Sequence, residues 1–94
     1  MAFVRLAFFP GGTAAHEQVL ADALVGAPEP PGRLLFASGA VEGGWQVVQV
    51  WTSREELDAF NRDWFLPAWR EVAGASFPAP PEVRDVPDAR VGPA

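Results

Sequence analysis

Hydrophobic and polar positions alternate with a period of two in two long stretches of this chain. From Gly43 to Trp51 the residues Trp45, Val47, Gln49 and Trp51 interleave with Gln46, Val48 and Val50, which is the period of a strand whose side chains point to opposite faces. Ala2 to Phe9 alternates Val4, Leu6 and Phe8 against Phe3, Arg5, Ala7 and Phe9 in the same way. Both stretches are largely apolar on both faces, so both are expected in the middle of a sheet that is covered on both sides. A helix from about Ala14 to Val25 is expected after the Pro10, Gly11, Gly12 turn. Thr13 is its N-cap, Gly26 its stop, and His16, Val19, Leu20, Ala23 and Leu24 form its apolar stripe, with Glu17, Gln18 and Asp22 on the polar side. After the rigid APEPPG loop (Ala27 to Gly32), Arg33 to Ala40 reads as a strand that turns through Glu42, Gly43 and Gly44 into the central one as a hairpin.

Ser53 and Glu56 have the spacing of a capping box and open a helix from Arg54 to about Leu66. Leu57, Phe60 and Trp64 are expected on its buried stripe with Asn61 beside them, while Glu55, Asp58 and Arg62 face solvent. Pro67 breaks the hydrogen-bond ladder but suits the first turn of a short second helix carrying Trp69 and Val72. An extended proline-rich crossing, Phe77 to Pro81, leads to a short last strand, Glu82 to Val86, which Pro87 marks as an edge. Residues 88–94 are expected to form a loose tail. The order strand, helix, strand, strand, helix, strand with right-handed crossovers predicts a ferredoxin-like βαββαβ domain spanning 1–94. It is an α+β fold with a four-stranded antiparallel sheet in spatial order 4-1-3-2 and helices on one face.

That arrangement leaves one apolar sheet face bare, and composition makes the problem sharper. With 94 residues, 49% of them hydrophobic and four of them Trp, a lone protomer has a small core and more greasy surface than its two helices can cover. A homodimer is therefore expected. The chain has no Cys and one His, so disulfides and thiolate metal sites are absent and no metal or cofactor is expected. A formal charge of −5, with every one of the seven basic residues an Arg and the acidic ones scattered, argues against nucleic-acid binding through phosphates. The start is too short and too alternating for a signal peptide or a membrane span, so a cytoplasmic protein with no membrane partner is expected.

The run GGWQVVQVWTSREELDAFNRDWFLPAW, preceded by FPGGT and followed by FPAPPEV, resembles small actinobacterial proteins of the dimeric α+β barrel superfamily. More distantly, it is similar to the antibiotic biosynthesis monooxygenase group. The resemblance covers nearly the whole chain and is carried by core and cap positions. It implies a homodimer whose two sheets face each other, with helices outside and a small cavity in each subunit between sheet and helices. It also implies that Trp51, which matches an aromatic at the end of the central strand, lines that cavity. Histidines found in the corresponding helix of that group fall at Phe60 and Trp64 here.

Candidate chemistry is sparse. His16, in the first turn of its helix, is the candidate general base; its alternative is packing at the edge of the helix stripe. Arg5 and Gln49, taken as parallel neighbours in the two central strands, are candidate binders of an acidic or carbonyl-bearing ligand. Their alternative is to pair with each other or across a dimer and fix register. Trp51 and Trp64 are candidates for an aromatic box around a flat ligand, whereas Trp45 and Trp69 read as core or dimer packing. Asn61 is a candidate for stabilising developing negative charge. Gly11 and Gly12 lack the spacing of a phosphate loop and read as a tight turn. These residues suggest a pocket for a small hydrophobic or aromatic ligand, with a cofactor-free monooxygenation or isomerisation of an electron-rich ring as the reaction of an enzyme built this way. The competing class is a non-catalytic ligand-binding or structural homodimer whose cavity is filled by its own side chains.

Overall fold

The computed structural model describes residues 1–92 and contains four strands, β1 (Ala2–Pro10), β2 (Arg33–Val41), β3 (Gly44–Trp51) and β4 (Glu82–Ala89), and the helices α1 (Ala14–Ala23), α2 (Arg54–Phe60) and α3 (Leu66–Glu71). The sheet order is β2-β3-β1-β4, the 4-1-3-2 order read from the other edge. The two strands that alternate without a polar face are thus the central ones. β1 and β3 run antiparallel with Arg5 opposite Gln49, so the parallel pairing assumed for these two residues is corrected. In a split βαβ unit the chain crosses to the far edge, and the hairpin returns it in the opposite direction. The β2–β3 hairpin turns at Gly43, whose φ of +83° is left-handed. Its neighbour Gly44 backs onto the Phe9 carbonyl so closely that a Cβ would have no room.

Antiparallel partners share a face, so the side chains sort into two layers. Phe3, Arg5, Ala7 and Phe9 of β1, with Val47, Gln49 and Trp51 opposite them, lie under the helices. Two apolar clusters form there. Ala7, Phe9, Leu20, Val47, Ala68 and Phe77 make the larger one, and Phe3, Trp51 and Leu57, with Phe60 against them, make the smaller. The opposite layer, Val4, Leu6 and Phe8 of β1 with Gln46, Val48 and Val50 of β3, carries no helix. On edge strand β2 the apolar residues Leu34, Leu35 and Phe36 all remain exposed.

Several boundaries differ from expectation for physical reasons. Helix α1 stops at Ala23, and the Leu24 amide closes it by bonding back to Leu20 and Ala21, so Gly26 is not its left-handed stop. The reciprocal capping box forms at Thr13, which accepts the His16 amide while the His16 ring accepts the Thr13 amide; at Ser53 the hydroxyl accepts the Glu56 amide. Strand β4 runs through Pro87 to Ala89, with Ala89 buried opposite Ala2. Asp88 and Ala89 therefore belong to the sheet rather than to a tail. The end of the expected tail, residues 93 and 94, lies outside the described residues.

The largest departure is between α2 and α3. Instead of breaking at Pro67, the chain continues through a π turn, Asn61–Phe65, into α3 with Pro67 at its start. Proline has no N–H for the carbonyl four residues back and its ring would collide with that carbonyl. Here the Leu66 amide bonds to the Asn61 carbonyl, five residues back, which widens the coil just ahead of Pro67. One extra residue per turn rotates everything after Phe60. Trp64 is consequently 41% exposed, and Phe65 packs on the larger core cluster in its place.

Candidate functional site

The two apolar clusters do not meet. Between them a row of side chains crosses the sheet from Phe36 through Gln49 and Arg5 to Asp85, each the register partner of the next. A guanidinium and an amide cannot be packed over like leucine. Above this row a cavity of about 360 Å³ opens under the helices, with Arg5 and Gln49 in its floor and Phe60, Asn61 and Phe65 in its roof. The π turn decides that roof, since its wider coil brings Phe65, five residues on, round to the side of Phe60 in place of Trp64. Ala7 and Val47 keep the floor low next to the polar row, and Phe77 closes one end.

Every polar group in the row is oriented by a neighbour. Arg5 donates from Nε and an Nη to the two oxygens of Asp85 at 2.9 and 3.0 Å. The Trp51 indole N–H donates to Gln49 Oε1 at 3.0 Å. Because Oε1 is engaged, Gln49 offers its amide NH₂ to the cavity. At the other end Glu17 reaches over the sheet, accepting from Trp45 Nε1 and from Ser38 Oγ at 2.8 Å each. Arg33, the first residue of β2, lines the wall with its guanidinium over the rings of Phe36, Phe60 and Trp51.

Of the residues singled out in the sequence, Arg5, Gln49 and Asn61 are on the cavity wall. Trp51 is fully buried behind it, holding Gln49 rather than facing the void. Trp64 points away, turned outward by the π segment. His16 sits beyond the end of the cavity. Its Nδ1 lies 3.1 Å from both the amide and the hydroxyl of Thr13, and its ring leans on Phe77 at a centroid distance of 6.0 Å. Accepting the Thr13 amide at Nδ1 makes the ring part of the helix cap. Residues that pattern reading passed over, Glu17, Arg33, Phe36 and Phe65, also form the wall. Glu17 falls on the polar stripe of α1, and only the position of Ser38 and Trp45 on the sheet below turns it inward.

Hydrogen bonds from Arg5 hold the Asp85 carboxyl below the usual carboxylate range, partial burial opposing them, and the same bonds raise the Arg5 guanidinium. A carboxylate whose folded pKa is depressed contributes stability that is complete above its unfolded pKa, about 3.9, and is lost as pH falls through the lower folded value. Asp85→Asn is expected to cost about 1 kcal/mol near neutral pH, the modest value reflecting a pair partly open to solvent. In thermal melts the gap between the two proteins stays constant above about pH 5 and closes below about pH 4. A gap that persists undiminished at pH 2 would show that the ion pair is not its source.

No family model and no curated protein matches this chain. Solved structures do. One from Caulobacter crescentus, provisionally described as an antibiotic biosynthesis monooxygenase, superposes with a TM-score of 0.73 at 18% identity over 95% of this chain and 91% of the other. The Rv0793 protein of Mycobacterium tuberculosis gives a TM-score of 0.71 at 17% identity, covering 100% and 99%. The chain has the antibiotic biosynthesis monooxygenase-like fold. A third structure with this fold is a mutant of SnoaB, a cofactor-independent oxygenase from Streptomyces nogalater, with a TM-score of 0.63 at 18% identity over 99% and 97% of the two chains. At such identities the likeness concerns the monooxygenase-like backbone, and the contents of the cavity are this chain's own. Among the described residues no helix is long and apolar enough to cross a membrane.

Proposed function

We propose that this protein is a homodimer in which each subunit binds a flat aromatic metabolite in the cavity between sheet and helices. The ligand presents a carbonyl or phenolic oxygen to Gln49 and Asn61. The observation that carries this reading is the free amide NH₂ of Gln49, fixed by Trp51 in the floor of a cavity of about 360 Å³ whose remaining walls include Phe60, Phe65 and Phe77. A few fixed polar groups set among aromatic walls are what orient a small ligand in a concave site. Donors from Gln49 and Asn61 and the nearby positive charge of Arg5 favour negative charge on that oxygen.

Binding is favoured over proton abstraction by the protein because three nearby groups that could take a proton are tied up by hydrogen bonds, and Glu29, the loosely held carboxylate of the wall, is turned mostly to solvent. Asp85 is held by Arg5, Glu17 by Ser38 and Trp45, and the His16 ring by the Thr13 cap. A reaction on this floor would start from a ring acidic enough to ionise against these donors, without a cofactor. An example is oxidation of a ring CH₂ to C=O by O₂, one oxygen atom being retained and the other leaving as water with the two hydrogens.

Trp51 touches both Gln49 and Phe60, so occupancy should register in tryptophan fluorescence. Titration with two-ring phenols and quinols is expected to give a saturable change, and long-chain fatty acids are expected to give none. A flat response to all three classes removes the aromatic-pocket reading.

A further inference from the structure

The two arginines of the cavity are not equivalent. Both fork positions that Arg5 turns toward Asp85 are filled, at 2.9 and 3.0 Å. Arg33 has a single contact with one oxygen of Glu29 at 3.4 Å, and the Glu29 side chain is 82% exposed while that of Arg33 is only 20% exposed. A guanidinium with five N–H donors and one long hydrogen bond keeps donors available to a ligand, and none of its nitrogens is buried without a partner. It is held in place by π faces, 5.0 Å from the Phe36 ring centroid, 5.7 Å from Phe60 and 5.9 Å from Trp51, which fix a cation without using its donors. The backbone beside it is fixed too, because Thr52 donates to the Gly32 carbonyl at 2.8 Å and Pro30 is buried. Glu29 belongs to the Pro28 to Pro30 segment of the cavity wall, so its carboxylate can swing to solvent without moving the site.

We propose that Arg33 is a specificity-determining residue that recognises a carboxylate on the aromatic ligand, and that Glu29 occupies its place in the empty cavity and is displaced on binding. The inference rests on the aromatic-pocket reading and narrows it to aryl carboxylates. A ring among Phe36, Phe60 and Phe65 would have its carboxylate at the Arg33 fork. The bidentate geometry that Arg33 offers to a carboxylate is the one Arg5 already makes with Asp85. The Arg33 and Arg5 positions are one register row apart, about 7 Å along the strand. An acid at Arg33 therefore leaves the opposite edge of a fused two-ring ligand over Gln49.

The test is calorimetric titration of the intact protein with 2-naphthoate and with its neutral counterpart 2-naphthamide. Wild type is expected to bind naphthoate about tenfold more tightly than naphthamide. Arg33→Gln is expected to reduce that preference to about twofold or less, any change in the aromatic wall being common to both probes, and a far-ultraviolet spectrum and thermal melt matching wild type show that the variant is folded. Glu29→Gln, on an exposed side chain, is expected to tighten naphthoate binding about threefold relative to naphthamide by removing the competing carboxylate. Equal binding of the two probes by wild type, or a preference that survives Arg33→Gln, overturns the carboxylate assignment while the aromatic pocket stands. Failure of both probes to bind overturns the pocket as well. A Glu29→Gln variant that binds naphthoate more weakly overturns displacement.

Discussion

Trp51→Ala is expected to lower the unfolding free energy by about 3–5 kcal/mol, a large part of what a chain of this size has. Trp51 is 0% exposed and stands at the centre of the smaller core cluster, against Phe3 and Leu57, which are themselves almost fully buried, with the Phe60 ring 5.8 Å away. Truncation leaves a hole bounded by the sheet on one side and the start of α2 on the other, where neither can collapse without breaking the β1–β3 ladder. It also leaves Gln49 Oε1 without its donor. Trp51→Phe separates the two effects, since it keeps most of the ring and loses the hydrogen bond, at an expected cost of about 1 kcal/mol. Urea denaturation followed by circular dichroism gives both values. Ligand affinity, read by calorimetry because Trp51 is itself the fluorescent reporter, is expected to weaken in Trp51→Phe beyond what stability explains, because the Gln49 amide is then free to flip its acceptor into the cavity. A loss below about 1 kcal/mol for Trp51→Ala would mean that this cluster is not part of the cooperative core.

The alternation of Ala2 to Phe9 and Gly43 to Trp51 was sufficient to place those segments at the centre of the sheet, because period-two patterning and burial on both faces depend on local sequence. Thr13 and Ser53 were legible as helix starts for the same reason. What could not be read is whatever depends on which residues the fold brings opposite one another. Asp85 is a scattered carboxylate on a short edge strand until register sets it across from Arg5. Glu17 belongs to a polar helix stripe until Ser38 and Trp45 are beneath it. Pro67 was visible, but a proline can end a helix or widen it, and the two outcomes exchange Trp64 for Phe65 as the inward aromatic. Three of the residues singled out, Arg5, Gln49 and Asn61, line the cavity because two lie on the core-facing positions of central strands and the third opens the π turn. His16 drew attention for its chemistry alone, and its Thr13 contacts give it a local structural role.

Leu6→Asp is expected to convert the protein from dimer to monomer at micromolar concentration. In the proposed homodimer the bare sheet layer is the interface. Leu6 sits at its centre, between Val48 on β3 and Arg84 on β4, with Phe8 and Glu82 one row further on. A second copy suits this surface better than an unrelated partner. The centre is apolar and so complements itself, while the outer positions carry Arg84 and Glu82, opposite charges two residues apart that a twofold axis can set against each other. Leu6 is half-buried in the protomer, so its further burial contributes part of the roughly 2 kcal/mol of a fully buried leucine. A carboxylate in its place loses that contribution in both subunits and adds the cost of burying like charges near the axis. Together these weaken association by at least about a thousandfold. Leu6 lies on the side of the sheet away from both core clusters, so the far-ultraviolet spectrum of the variant should match that of wild type. Sedimentation velocity of the two proteins side by side decides the matter. If wild type itself sediments as a stable monomer at tens of micromolar, the bare layer is tolerated in water and the twofold assembly is wrong. Arg84→Glu gives an independent measure, because it leaves the apolar centre untouched and replaces an attractive cross-axis pair with a repulsive one. Its dimer should dissociate more readily at low salt than at high salt, the reverse of what charge pairing across wild type predicts.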